Sequence, residues 1–184
     1  MNETAKSDEV GPYRLVALLY EGEYFGVVYT NGAKALTVKG ANLDDCFAQV
    51  QAWTSQRLAE KARARNGLVP EVGELTAAFR RIEPRVHDGQ LAMLRAHVKA
   101  KDRRITATEL AAAAEYKGHE AANLHYGRLG WLLYGEVPTD LPESPREGLP
   151  VYTFALADGE RQGAEWVWTL RPEVAAAAVA AGLA

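Results

Sequence analysis

Residues 106–133 read TATELAAAAEYKGHEAANLHYGRLGWLL. Thr106 or Thr108 is placed to cap a helix, because a threonine hydroxyl can accept an orphan amide hydrogen bond at a helix start. That helix is predicted to reach about Tyr116. Lys117-Gly118 then makes a tight turn, and a second helix is predicted over 119–134. Ala122, Tyr126, Leu129 and Leu133 recur on a 3.6-residue period and define its core face. The opposite side carries Glu120, Asn123, Leu124, Gly127, Arg128 and Trp131.

The flanking sequence extends this pattern. Upstream, Asp88 is a plausible N-cap for a helix over about 89–100, with Leu91, Leu94 and Val98 on one face, and Arg104-Ile105 suits a very short strand. Downstream, residues 136–150 hold four of the eight prolines and read as an extended loop. VYTFALA (151–157) and EWVWTL (165–170) alternate like strands around the turn sequence DGERQGA. Pro172 suits the first turn of an Ala-rich final helix. Helix, short strand, helix, turn, helix, then a hairpin is the element order of a winged helix-turn-helix, predicted over 88–184.

The N-terminal part reads differently. Residues 1–12 are polar and are expected to be a disordered tail. YRLVALLY (13–20), YFGVVYT (24–30) and AKALTVK (33–39) read as three strands. Asn31-Gly32 between the last two marks a two-residue hairpin turn, which needs positive φ at both positions. Asn42 can cap a helix whose first turn holds Asp44 and Asp45, as the helix dipole favours. Leu43, Phe47, Val50, Thr54 and Leu58 form its apolar stripe, flanked by Trp53, and Gly67 stops it. The prediction is a β-β-β-α module over 13–66. A short helix with Leu75, Phe79 and Ile82, ended by Pro84, lies in a helical connector over 67–87. The fold class expected is α+β.

Composition narrows the function. The chain has 184 residues, 48% hydrophobic and 24% charged, with net charge −3. A basic whole-surface nucleic-acid binder is excluded. Between Phe79 and Ile105, however, eight basic residues face three acidic ones, a local balance of 8 − 3 = +5 that leaves −8 for the rest. One cysteine, Cys46, rules out an internal disulfide and points weakly to a reducing, cytoplasmic setting. The polar, acidic start does not read as a signal peptide. No apolar run approaches membrane-spanning length.

The sequence offers no catalytic constellation, no metal-ligand spacing and no cofactor motif. His119 and His125 are six apart, so they do not share a helix face as ligands four apart would. His125 reads as a core histidine, and His87 and His97 show no partner pattern. Cys46 reads as a small buried side chain. Glu21-Gly22-Glu23 and Asp158-Gly159-Glu160 read as turns. Trp166 and Trp168 share a strand face that belongs either to a core or to a binding surface.

Within 88–180, about half the chain, the matching residues Tyr116, Lys117, Ala121, Ala122, Asn123, Leu124, Tyr126, Gly127, Leu129 and Gly130, then Trp166, Val167, Arg171, Pro172 and Glu173, carry a resemblance. This run is similar to a domain found in bacterial HNH-endonuclease and restriction-linked proteins, with the form GYK, AANLxYGxLG and W-V-W/M-x-x-RPE. Glu115 stands where that pattern has Gly, which bears on the turn after the first of the two helices. The motif is specific for the domain and not for an activity. No His-Asn-His constellation precedes it here.

Two functions follow as expectations. The first is a non-enzymatic DNA-binding accessory or regulatory protein. Asn123 and Arg128 would meet bases or phosphates, and Gly127 would allow close approach. Lys101, Arg103, Arg104, Lys117 and His119 would complete the duplex contact. The second is a protein-binding immunity or inhibitor protein that neutralises a toxin or nuclease. A homodimer through the N-terminal sheet edge or the final helix is compatible with either. The same outer face of the second helix would equally suit packing, since exposed Leu and Trp call for cover.

Overall fold

The computed structural model describes residues 5–144, 148, 150–163 and 165–184. Residues 1–4 of the expected tail, part of the proline-containing loop (145–147 and 149) and Ala164 of the DGERQGA turn lie outside the described residues. The chain is α+β and divides into two compact units, Met1–Asn66 and Gly67–Ala184.

The first unit is a four-stranded antiparallel sheet in sequential order: β1 (Ala5–Val10), β2 (Tyr13–Tyr20), β3 (Glu23–Thr30) and β4 (Ala33–Gly40). Asn31 and Gly32 take φ of 50° and 76°, as the hairpin reading requires, and Glu21-Gly22 turns the preceding hairpin the same way. β1 corrects the expected disordered tail. Its AKSDEV sequence pairs residue for residue with β2, from Ala5 opposite Leu18 to Val10 opposite Tyr13. It is an edge strand, where polar and charged side chains are tolerated, so it carries almost no hydrophobic signal.

Helix α1 (Leu43–Ala64) covers one face of this sheet through Leu43, Cys46, Val50, Thr54, Leu58 and Ala62. Its cap is Asn42, whose Oδ1 accepts the Asp45 amide at 2.9 Å. Gly26 sets how closely the helix lies on the sheet. A Cβ there would be 2.8 Å from the Cys46 carbonyl oxygen and from methyls of Val38 and Val50. Cys46 is a free, buried thiol, its pKa raised by burial and by Asp45.

The second unit contains α2 (Val72–Ile82), α3 (Asp88–Lys99), β5 (Arg104–Thr106), α4 (Ala107–Ala113), α5 (His119–Glu136), β6 (Ala157–Gln162), β7 (Glu165–Leu170) and α6 (Pro172–Ala180). Its sheet has the order β5-β7-β6, all antiparallel. One core joins Leu75, Phe79 and Ile82 of α2 to Leu94, Tyr126, Leu129, Leu170 and Val174. The segment expected as a connector is therefore part of this unit's core, packed on α6. His87, not Asp88, caps α3: its amide donates to Gln90 Oε1 at 2.9 Å. Thr106 caps α4 reciprocally with Glu109.

The hairpin is displaced from its expected register. Residues 152–155 form a 3-10 turn, and β6 runs through the supposed turn DGERQ. Tertiary packing overrides strand propensity here. The Tyr152 ring lies 5.4 Å from Tyr134, and the Phe154 ring lies 5.3 Å from Trp168. Gly159 sits opposite Trp168 in the ladder, and a Cβ there would be 2.6 Å from that indole.

α4 ends earlier than expected, at Ala113, and Glu115 adopts φ 58° in the turn that follows. This is the left-handed region, which costs a side chain about 1–2 kcal/mol and glycine almost nothing. Replacing Glu115 by Gly is expected to stabilise the unit by about 1 kcal/mol after glycine's greater unfolded-state freedom is subtracted. A shift of the urea midpoint at unchanged slope checks it.

Candidate recognition groove

Helix α5 organises the site. Ala122, Tyr126, Leu129 and Leu133 are buried, as their spacing predicts, together with Gly130, Leu132 and Tyr134. Turned the other way are His119, Glu120, Asn123, Leu124 and Arg128, all exposed, with Gly127 and Trp131 half-buried. Leu124 is 71% exposed.

This outer face is one wall of a groove with a volume of about 1260 Å³. Facing it are Ala107 and Thr108 at the start of α4, with Glu165, Trp166 and Trp168 on β7. Pro142–Ser144 and Pro150–Phe154 supply the remaining side. The 3-10 turn is held against α5 at Gly130. A Cβ at that position would fall inside contact with the Tyr152 carbonyl oxygen and 2.7 Å from its carbon. The close internal approach of main chain to α5 is therefore at Gly130. At Gly127 a Cβ would stand at an ordinary 3.6 Å from Thr153 Oγ1.

Of the candidate duplex contacts, the fold brings His119, Asn123, Gly127 and Arg128 together on the groove. Lys101, Arg103, Arg104 and Lys117 are not among its lining residues. Arg103 is half-buried and donates through Nε to the Leu170 carbonyl at 3.1 Å. Arg104 pairs with Glu160 at 2.6 Å. The Arg128 guanidinium stacks 3.6 Å above the Trp131 ring. Lys101 and Lys117 are exposed. Residues 67–184 hold 13 basic and 16 acidic side chains, a balance of 13 − 16 = −3, so the unit as a whole is acidic.

The sequence reading missed Phe154, Tyr152, Glu143 and Glu165 as site residues. The signal for the tryptophans was present in the shared face of Trp166 and Trp168, whose rings lie 5.8 Å apart. Trp168 is only 6% exposed, and its indole Nε1 is buried without a hydrogen-bond partner among the described residues. Glu165 accepts a hydrogen bond from Thr108 Oγ1 at 3.2 Å.

Behind the groove lies a buried polar link. His97, which shows no partner pattern in the sequence, is fully buried between Tyr126 and β7. Its Nδ1 lies 2.7 Å from the Tyr126 hydroxyl and its Nε2 3.1 Å from the Trp168 carbonyl. The carbonyl can only accept, so Nε2 carries the proton and Nδ1 accepts from Tyr126. Burial holds the His97 pKa down at about 4 and pushes that of Tyr126 up. His125, expected in the core, is half-buried and stacks on Tyr116 at 4.9 Å.

Among the described residues no group of three or more His, Cys, Asp or Glu is placed to hold a metal ion, and no helix is long and apolar enough to cross a membrane. The arrangement offers aromatic surface, an amide, carboxylates and one stacked guanidinium: groups that bind. The chain matches no protein-family model, no curated protein and no solved structure.

Proposed function

We propose that the second unit is a non-enzymatic protein-recognition module that docks a partner in the groove between α5 and β7. The observation that carries this reading is the position of the outer face of α5. It is the wall of an aromatic groove with an exposed leucine, not a free basic ridge. Tryptophan-rich concave surfaces are where interface energy concentrates. A toxin- or nuclease-neutralising role in a cytoplasmic setting is one form this function takes.

A random 12-residue peptide display library, selected on the full chain, tests the proposal. Enriched peptides are expected to bind wild type and to lose binding to Leu124→Arg, a substitution at an exposed position that leaves the core intact. Enrichment indifferent to that variant would refute groove docking.

Duplex DNA is the second reading. The element order α3-β5-α4-α5-β6-β7 and the pairing β5-β7-β6 support a winged helix with α5 in the recognition position. The resemblance to restriction-linked domains points the same way. Against it stand Arg103 and Arg104, engaged within the unit, and Arg128, stacked on Trp131, which leave Lys101 and Lys117 of the expected cations for phosphates. Two phosphate contacts give roughly tenfold weaker binding between about 50 and 200 mM salt, whereas six or more give about a thousandfold. Fluorescence anisotropy of a mixed-sequence duplex separates the two. A thousandfold loss would place DNA first.

A further inference from the structure

We infer that the groove takes a short segment of a partner protein in which an aromatic or large aliphatic residue lies next to Lys or Arg. This rests on the protein-docking reading above and adds the chemistry of the partner.

Two demands of the groove converge on that occupant. The first is apolar. Trp131, Phe154, Trp166 and Trp168 line one continuous depression, and Trp166 remains 41% exposed. Such surface gains most from a large apolar side chain.

The second is electrostatic. Glu143 and Glu165 both line the groove, and neither has a cationic partner among the described residues. Among the described lining residues the one arginine, Arg128, has its guanidinium flat on Trp131. A cation on the occupant complements these carboxylates, whereas nucleic-acid phosphates would face them with like charge.

Length fits as well. The wall from His119 to Trp131 runs along 12 residue steps of helix, about 18 Å at 1.5 Å per residue. That spans five or six residues of extended chain at about 3.3 Å each.

The experiment uses peptides enriched from the 12-residue library, synthesised with a fluorescein label and titrated by anisotropy into the full chain. The expected consensus joins Trp, Phe, Tyr or Leu to Lys or Arg. The double variant Glu143→Gln, Glu165→Gln is expected to weaken binding about tenfold, and the loss shrinks as salt rises. Trp166→Ala is expected to weaken it tenfold or more. Circular dichroism confirms that the variants remain folded. An acidic or uncharged consensus, or equal affinity in the double glutamine variant, would overturn the cationic assignment while leaving groove docking in place. Binding indifferent to both Leu124→Arg and Trp166→Ala would overturn the docking reading itself. Displacement of the bound peptide by a single-stranded or duplex oligonucleotide would assign the groove to nucleic acid and overturn the inference.

Discussion

Gly130→Ala is expected to lower the unfolding free energy of the second unit by about 2 kcal/mol, whereas Gly127→Ala, three residues earlier on the same helix, is expected to be neutral or slightly stabilising. Both substitutions gain helix propensity of about 1 kcal/mol. They differ in what the new methyl meets. At 127 it makes ordinary contact with the Thr153 hydroxyl. At 130 it meets the Tyr152 carbonyl group and stands 3.2 Å from the Thr153 amide nitrogen. A clash with main chain has no rotamer that relieves it, so α5 and the 152–155 turn must separate, and overpacking of this kind costs about 1–3 kcal/mol or more. Their separation also strains the Tyr134–Tyr152 and Phe154–Trp168 contacts. Urea unfolding of the two variants beside wild type checks the contrast. Equal stability of all three would mean that the turn does not rest on α5. Because that turn supplies part of the groove's lining, Gly130→Ala is also expected to weaken peptide binding at temperatures where the protein remains folded.

The same glycine illustrates what a sequence discloses. The inward face of α5 was readable because Ala122, Tyr126, Leu129 and Leu133 obey one helical period, and period is a local property. The Asn31-Gly32 turn and a threonine cap at 106 or 108 were readable for the same reason: each is satisfied within four residues. Gly130 is demanded by a chain segment more than 20 positions away, and no local rule separates it from Gly127. Strand β6 was hidden because ADGERQ has a strand's partner but not a strand's composition. Its place is set by the ladder to β7 and by indoles that need the bare backbone of Gly159. Edge strand β1 was hidden by the tolerance of sheet edges for polar residues.

The charge reading met a similar limit. The surplus of +5 over residues 79–105 is real in the sequence. Arg104 spends its charge on Glu160, 56 positions along, and Arg103 is held on a β7 carbonyl. Half of the expected contact set still lies together on the groove. Its other walls come from residues 107–108, 142–144, 150–154, 165, 166 and 168, which only the fold assembles.

The second unit is expected to lose about 3 kcal/mol of stability between pH 6.5 and pH 4 through His97 alone. In the folded chain this imidazole is neutral and its pKa is held down at about 4 by burial, whereas in the unfolded chain it returns to about 6.5. Between those values the unfolded state binds a proton that the folded state refuses. Stability therefore rises with pH across the window, is fully present above about pH 6.5, and is lost as pH falls toward 4, at up to about 1.4 kcal/mol per pH unit. The backbone groups of Trp168 and Arg103 give the charged ring only partial relief, and burial outweighs them. Tyr126 offers a hydroxyl whose own pKa burial has raised, and the carbonyl of Trp168 receives the Nε2 proton already present. A second proton on Nδ1 would face the Tyr126 O–H donor and force that hydrogen bond to reverse. Carboxylates elsewhere also weaken the fold in acid, so the informative quantity is the difference between wild type and His97→Gln, which cannot titrate. That variant is less stable at pH 7 because the link from α3 through Tyr126 to β7 is broken, and its deficit is expected to shrink by about 3 kcal/mol by pH 4. A deficit that stays constant over the same range would show that His97 does not act as a buried neutral group. Since the carbonyl it holds belongs to Trp168, acid is also expected to loosen the β7 wall of the groove, and peptide affinity should fall over the same pH window in wild type more steeply than in the Gln variant.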